Sequence, residues 1–422
     1  MRRALIVLVG LALLPLACSA QSSGDTSSGG GRIRVQVSGE AEETAVYDTV
    51  VKVFEDANPS IDVTLVKLAD KDDHLAKLTT SFAAGRSPDV FLVNFREYSQ
   101  FVTRGGVEPF GDHIDDARVT LDDYFPQPIE AFTYDDEVQC MPQNISSLVV
   151  YYNRELFEKA GVPEPRGEWT WDEFRRAALD LTRGDVHGLG IDPEVIRIAP
   201  FVWSNGGEVV DDTDNPSRFT LETPEAREAL EYVVSLVRDD RVVPSEQDVA
   251  AQDLETRFTT GKLAMLLSSR RDTPVFREVL GLDWDVGPLP TAEQPAGILH
   301  SDAYCISSQS DNVPEAVRFI AFATGREGQT ITALSGRTVP SLRDVARSQA
   351  FLDPTRPPEH SRVFLSGVPD IRRTPVIPTW PEIEDVTQEI LTRAFYENDY
   401  TIDDALADLR EQTEPLFEEG AI

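Results

Sequence analysis

Apolar and polar residues alternate in two rhythms along the first hundred residues of this chain. Ile33, Val35 and Val37 recur at every second position, the spacing of a half-buried strand, and Ser38-Gly39-Glu40 breaks the run. Over 42–58 the apolar residues Ala45, Val46, Val50, Val53 and Phe54 recur at helical spacing, and Pro59 ends the segment. A second strand over 61–68, a second helix over 72–84 closed by Gly85, and a third strand over 88–93 follow. The order β-α-β-α-β predicts a parallel sheet with helices on its faces. In such sheets ligands sit beyond the carboxyl ends of the strands, which points to 38–40 and 94–96.

Further on, 138–152 reads as an extended crossing into a second region. Thr170 and Glu173 form a capping-box pattern at a helix start, and Thr223-Pro224 opens another helix. A helix ends at Phe201-Val202-Trp203-Ser204 in the turn Asn205-Gly206-Gly207. Strands are expected at the end of 258–267, over 283–289 and over 303–307. A Pro- and Arg-rich connector with short helices spans 354–381, and helices over 382–396 and 402–417 close the chain.

Composition narrows the class. At 422 residues, two or three compact units are expected, and 41% hydrophobic residues suffice for real cores. With 73 acids against 39 Lys and Arg, the formal charge of -34 argues against a nucleic-acid partner and against basic-patch docking on anionic lipid. His74, His113, His187, His300 and His360 show no metal-ligand spacing, and 211–215 lacks the Gly and terminal Glu of a calcium loop. No metal or cofactor is expected.

The N-terminus adds an address. Arg2 and Arg3 precede a short apolar run over 4–14 and small residues, an export signal ending at residue 17. Cys18 directly after Ala17 resembles the lipidated cysteine of a lipoprotein, although Pro15 stands where an apolar residue such as Leu is usual. A plain secretory peptide cut nearby is the alternative. The Gly- and Ser-rich stretch from Cys18 to residue 31 reads as a flexible linker. The chain is therefore expected outside the cell, anchored by lipid to the outer face of the cytoplasmic membrane, with no later membrane span.

Several segments then occur in a telling order: Gly85-Arg-Ser-Pro-Asp89-Val, Pro142 followed by Leu148-Val-Val-Tyr-Tyr-Asn153-Arg-Glu-Leu-Phe, Trp169-Thr-Trp-Asp-Glu-Phe, Trp203-Ser-Asn-Gly-Gly207, Gly261-Lys-Leu-Ala-Met265 and Gly287-Pro-Leu-Pro290. Together they resemble the extracellular solute-binding proteins of family 1, the sugar-binding components of bacterial ABC importers. The resemblance covers nearly the whole mature chain. It implies an α/β, two-lobed periplasmic-binding-protein-like fold of type II, with three hinge crossings and a ligand cleft between the lobes. Lobe 1 would take 32–141 and 304–337, and lobe 2 would take 146–300 and 343–422. The implied molecule is a monomer without catalysis that closes on a sugar and delivers it to permease subunits.

A sugar cleft asks for aromatic faces and for charged or amide groups that hydrogen-bond hydroxyls. Glu40, Asn94 and Arg96 are candidates at the sheet's carboxyl edge, and Asn144 and Ser146 at the first crossing. Trp203 in its polar turn is the leading aromatic candidate, and Trp380 between Pro378 and Pro381 the second. Ser269 and Arg270 follow a buried strand, with Arg271 competing for the same role. Asp302 and Tyr304 enter the second crossing, and Arg337 marks the third as a weaker candidate. Cys140 and Cys305 flank the family's paired crossings, so a disulfide is expected there, with two buried free thiols as the alternative. Two rival readings stay open: the same fold with a polyamine, phosphodiester or peptide as cargo, and an exported glycosidase drawing on the abundant carboxylates.

Overall fold

A computed structural model describes residues 31–39 and 41–421. The export signal, Cys18, the linker up to residue 30 and Glu40 lie outside the described residues. Strand β1 (Gly31–Ser38) buries Ile33, Val35 and Val37, as its alternation requires. It is followed by α1 (Ala41–Ala57), β2 (Ile61–Leu68), α2 (Lys71–Ala83), β3 (Val90–Asn94) and α3 (Phe95–Val102). The Asp70 carboxylate caps α2 by accepting from the Asp73 N–H at 2.9 Å, and Asn94 caps α3. Strands β4 (Val107–Glu108) and β5 (Cys140–Pro142) come next. The chain then passes through β6 (Val149–Asn153), β7 (His187–Gly190), β8 (Leu263–Ser268) and β9 (Trp284–Gly287), and returns as β10 (Asp302–Ser307).

The first sheet has the order β2-β1-β3-β10-β4, with β5 alongside β10. Strands β1, β2 and β3 are parallel, but β10 runs antiparallel to β3, β4 and β5. The sheet is therefore mixed rather than wholly parallel. The reason is topological: β10 re-enters from the second sheet's side, towards which the carboxyl ends of β1 and β3 point.

The second sheet has the order β9-β6-β8-β7. Strand β6 is buried on both faces, so its apolar run does not alternate with polar residues. Val149 and Tyr151 join one core, and Val150 and Tyr152 the other. Helices α4 (Trp171–Leu181), α5 (Val195–Ser204) and α6 (Pro224–Arg238) belong to the second core. The capping box at Thr170 and Glu173 is present, with the Thr170 N–H donating to Glu173 at 2.8 Å. After β10, α7 (Val313–Thr324) and α8 (Arg326–Ser335) pack beside α1. Two short helices, Arg343–Ala346 and Gln349–Leu352, lie against α8, and the closing helices α9 (Trp380–Tyr396) and α10 (Ile402–Gly420) join the second core. Among the described residues no helix is long and apolar enough to cross a membrane.

Three crossings connect the lobes, and backbone hydrogen bonds tie them side by side. Gln143 N–H donates to the Asp302 carbonyl at 2.9 Å, and Ser146 and His300 exchange bonds of 2.9 and 2.8 Å. On the other flank, Ile145 N–H donates to the Val339 carbonyl at 2.9 Å. Cys140 of β5 and Cys305 of β10 are register partners joined by a disulfide, with Cα atoms 4.5 Å apart.

Candidate functional site

A cavity of about 690 Å³ lies between the two sheets, beyond the carboxyl ends of β1 and β3. Its first wall is built by the first sheet. Ser38 and Gly39 close β1, and Asn94 closes β3. The Asn94 side-chain amide donates to Asp302 Oδ1 at 3.0 Å, while the Asp302 N–H donates to Asn144 Oδ1 at 2.9 Å. Two carboxamides thus fix Asp302 at the junction of sheet and hinge. Arg337 follows the left-handed Gly336 at the end of α8. Its Nε is buried without a hydrogen-bond partner among the described residues, and the Glu43 carboxylate stands 3.7 Å away.

The opposite wall comes from the segments after β8 and before it. Arg271 lies 3.3 Å from Asp272 and 4.0 Å from Glu255, with Ser269 and Phe276 beside them. Burial raises the Glu255 pKa, and the neighbouring acids Asp272 and Asp192 add to that shift. The hinge forms the floor through Asn144, Ser146 and His300. His300 Nε2 is buried without a partner among the described residues. Burial, together with Arg96, Arg197 and Arg271, holds the His300 pKa well below the ordinary imidazole value, so the ring stays neutral. Acids and arginines therefore interleave around the cavity. Such a lining offers both donors and acceptors to a ligand with many hydroxyls.

The structure brings Asn94, Arg96, Asn144, Ser146, Ser269 and Asp302 together around this cavity. Four other candidates lie elsewhere. Trp203 is only 3% exposed: α5 is buried along its whole length, so the polar turn after it does not bring the ring to the cavity. The Arg372 guanidinium covers that ring at 4.8 Å. Trp380 is fully buried at the start of α9, in a cluster with the rings of Phe219 and Phe417. Tyr304 lies one turn of the pleat deeper in β10 than Asp302, where its hydroxyl donates to Gln143 at 3.4 Å under α1. Arg270 turns away, donating to the Gly336 carbonyl at 3.0 Å and packing on Phe351 and Phe364, and its neighbour Arg271 takes the cavity side.

Sequence reasoning missed Glu43, Glu255 and His300 as lining residues. Glu43 reads as an ordinary acid at a helix N-terminus, and Glu255 stands in the first turn of the short helix Leu254–Thr259, where an acid gives no signal of a site. A lone histidine carried no spacing signal. The expected stacking surface is also absent: among the described lining residues Phe276 is the one aromatic carbocycle, and neither Trp nor Tyr contributes.

Comparison with known proteins adds a third line. The family model of bacterial extracellular solute-binding proteins matches residues 38–330. A binding protein of Brucella abortus is 26% identical over 415 residues, 95% of this chain and 96% of that protein. The galactooligosaccharide-binding protein of Bacillus subtilis is 22% identical over 311 residues, 71% of this chain and 70% of that protein. An ABC substrate-binding protein of Listeria monocytogenes, solved in complex with cycloalternan, superposes with a TM-score of 0.84. It is 26% identical, and the match covers 92% of this chain and 98% of that one.

Proposed function

Since the chain belongs to the bacterial extracellular solute-binding protein family, we propose that it is the sugar receptor of an ABC importer, taking its ligand in the cavity between the lobes. The observation that carries this reading is the lining itself. Asp302, Asn94, Arg271 and Arg337 present acceptors and donors from both lobes and from the hinge around one space. Its 690 Å³ falls within the usual range of ligand sites, roughly 300–1,000 Å³. A site of this kind rejects analogues that lack hydroxyls, because its own polar groups would stay unpaired. The sugars bound by the Bacillus and Listeria relatives support the ligand class.

The remaining parts of the reading follow from the sequence. Cleavage before Cys18 and its lipidation would hold the monomeric protein at the outer face of the membrane, beside its permease. The lobes would comprise 32–141 with 304–337, and 146–300 with 343–422.

The test is a thermal-shift screen of the exported chain against mono- and oligosaccharides, followed by chromatography of the incubated sugar. A sugar that raises the melting temperature and is recovered intact is the expected result. Recovery of hydrolysed products, or stabilisation only by a polyamine or phosphodiester, overturns the proposal.

A further inference from the structure

A second connection joins the lobes, reached from the hinge-junction residue Asp302 through Asn94. Arg96, in the first turn of α3, reaches the Glu384 carboxylate on α9 with Nη1 2.8 and 2.7 Å from its two oxygens. Both side chains are 14% exposed. Helix α3 directly follows β3 of the first sheet, whereas α9 packs against α5 and α6 beside the second sheet. The pair therefore spans the two lobes.

Each end is braced. Asn94 Oδ1 accepts from Arg96 Nε at 3.2 Å, and Trp380 Nε1 donates to Glu384 Oε1 at 2.9 Å. Asn94 also binds Asp302, so an unbroken chain of hydrogen bonds runs from the hinge along the cavity wall to the second lobe. Arg96 lines the cavity and Glu384 is not among its lining residues. The buried Trp380, no stacking platform, acts as the support of this carboxylate.

We propose that Glu384 is a positioning residue for ligand capture: it orients Arg96 along the cavity wall and fastens α9 of the second lobe to α3 of the first at the cavity rim. The proposal rests on the cavity being the binding site. A charge pair of this type acts chiefly on dissociation, since it must be broken before the lobes part. Around the pair the charges are mixed: Lys71 of α2 pairs with Glu97 at 3.1 Å and faces Asp385, the neighbour of Glu384, while Asp72 faces Asp385 and Glu97 faces Glu384.

The experiment uses the full exported chain with spin labels at exposed positions 77 and 388, one on α2 and one on α9. In the ligand-free protein a short distance is expected beside the longer one of the open lobes. Glu384→Gln should shift the population to the longer distance, Glu384→Asp should restore much of the short one, and Arg96→Lys should behave like Glu384→Gln. With a sugar found in the thermal-shift screen, Glu384→Gln should speed dissociation about tenfold with little change in the association rate. Unchanged distances in Glu384→Gln and Arg96→Lys overturn the proposal, as does equal dissociation. A merely structural pair would change melting and leave the distances alone. If no sugar binds at all, the distance measurement still decides the role of the pair, and the failure then falls on the proposed ligand class.

Discussion

The hinge and the Arg96–Glu384 contact at the cavity rim both join the lobes, with different chemistry. At the hinge the partners are backbone groups and carboxamides, with the disulfide just inside the first sheet: Asn144 alone binds both the His300 carbonyl and the Asp302 N–H, at 3.2 and 2.9 Å. At the rim the partners are long charged side chains, Arg96 and Glu384. Backbone bonds buried among crossings have no other partner to turn to, so they persist. Charged side chains are well solvated whenever the rim opens, so they can part and meet again. The difference teaches which connection is built to hold and which to release.

Four experiments would break or sharpen that contrast. Replacing Cys140 and Cys305 together by Ser should cost about 2–5 kcal/mol in urea unfolding, because 165 residues of separation no longer form a closed loop in the unfolded chain. An unchanged midpoint would mean that the hinge does not depend on the bond. Asn144→Ala should cost about 1–3 kcal/mol, since it strands a buried carbonyl and a buried N–H. The measurement is the same denaturation curve.

His300 gives a pH-dependent test of the hinge. Its pKa is lowered in the folded protein, so below about pH 6.5 the unfolded chain takes up a proton that the folded one does not. Stability should therefore fall as pH drops, by about 1 kcal/mol from this residue between pH 7 and 5.5. His300→Gln should lose that share of the slope, and parallel slopes would remove His300 from the account. At the rim, Glu384→Gln should shift global stability by less than about 1 kcal/mol, because the opened rim returns Arg96 to water. A loss of several kcal/mol would make the rim as permanent as the hinge.

Much of this architecture is legible in the residues. Period-two runs mark β1 and β2, and a capping box marks α4, because local sterics and local hydrogen bonds set those patterns. The edge of the first sheet follows from the βαβ order, and Asn94 and Arg96 lie there. Trp203 and Trp380 mislead for one shared reason: a polar turn or proline next to a tryptophan describes the chain's path, not what covers the ring. The choice between Arg270 and Arg271 depends on a single short turn, Arg270–Asp272, in which successive side chains diverge. Glu384 leaves no local trace at all, since its partner stands 288 positions away in a different core.

The disulfide also turns residues 141–304 into a covalent ring. The exposed loop at 211–215, which Asp211 stabilises by accepting from Ser217 N–H at 2.8 Å, lies on that ring. A protease that cuts there opens the ring but severs nothing: both flanks stay joined through Cys140 and Cys305. The same cut becomes two fragments only after reduction. For a chain expected to work outside the cell, the second lobe is thus attached by a link that survives a single nick.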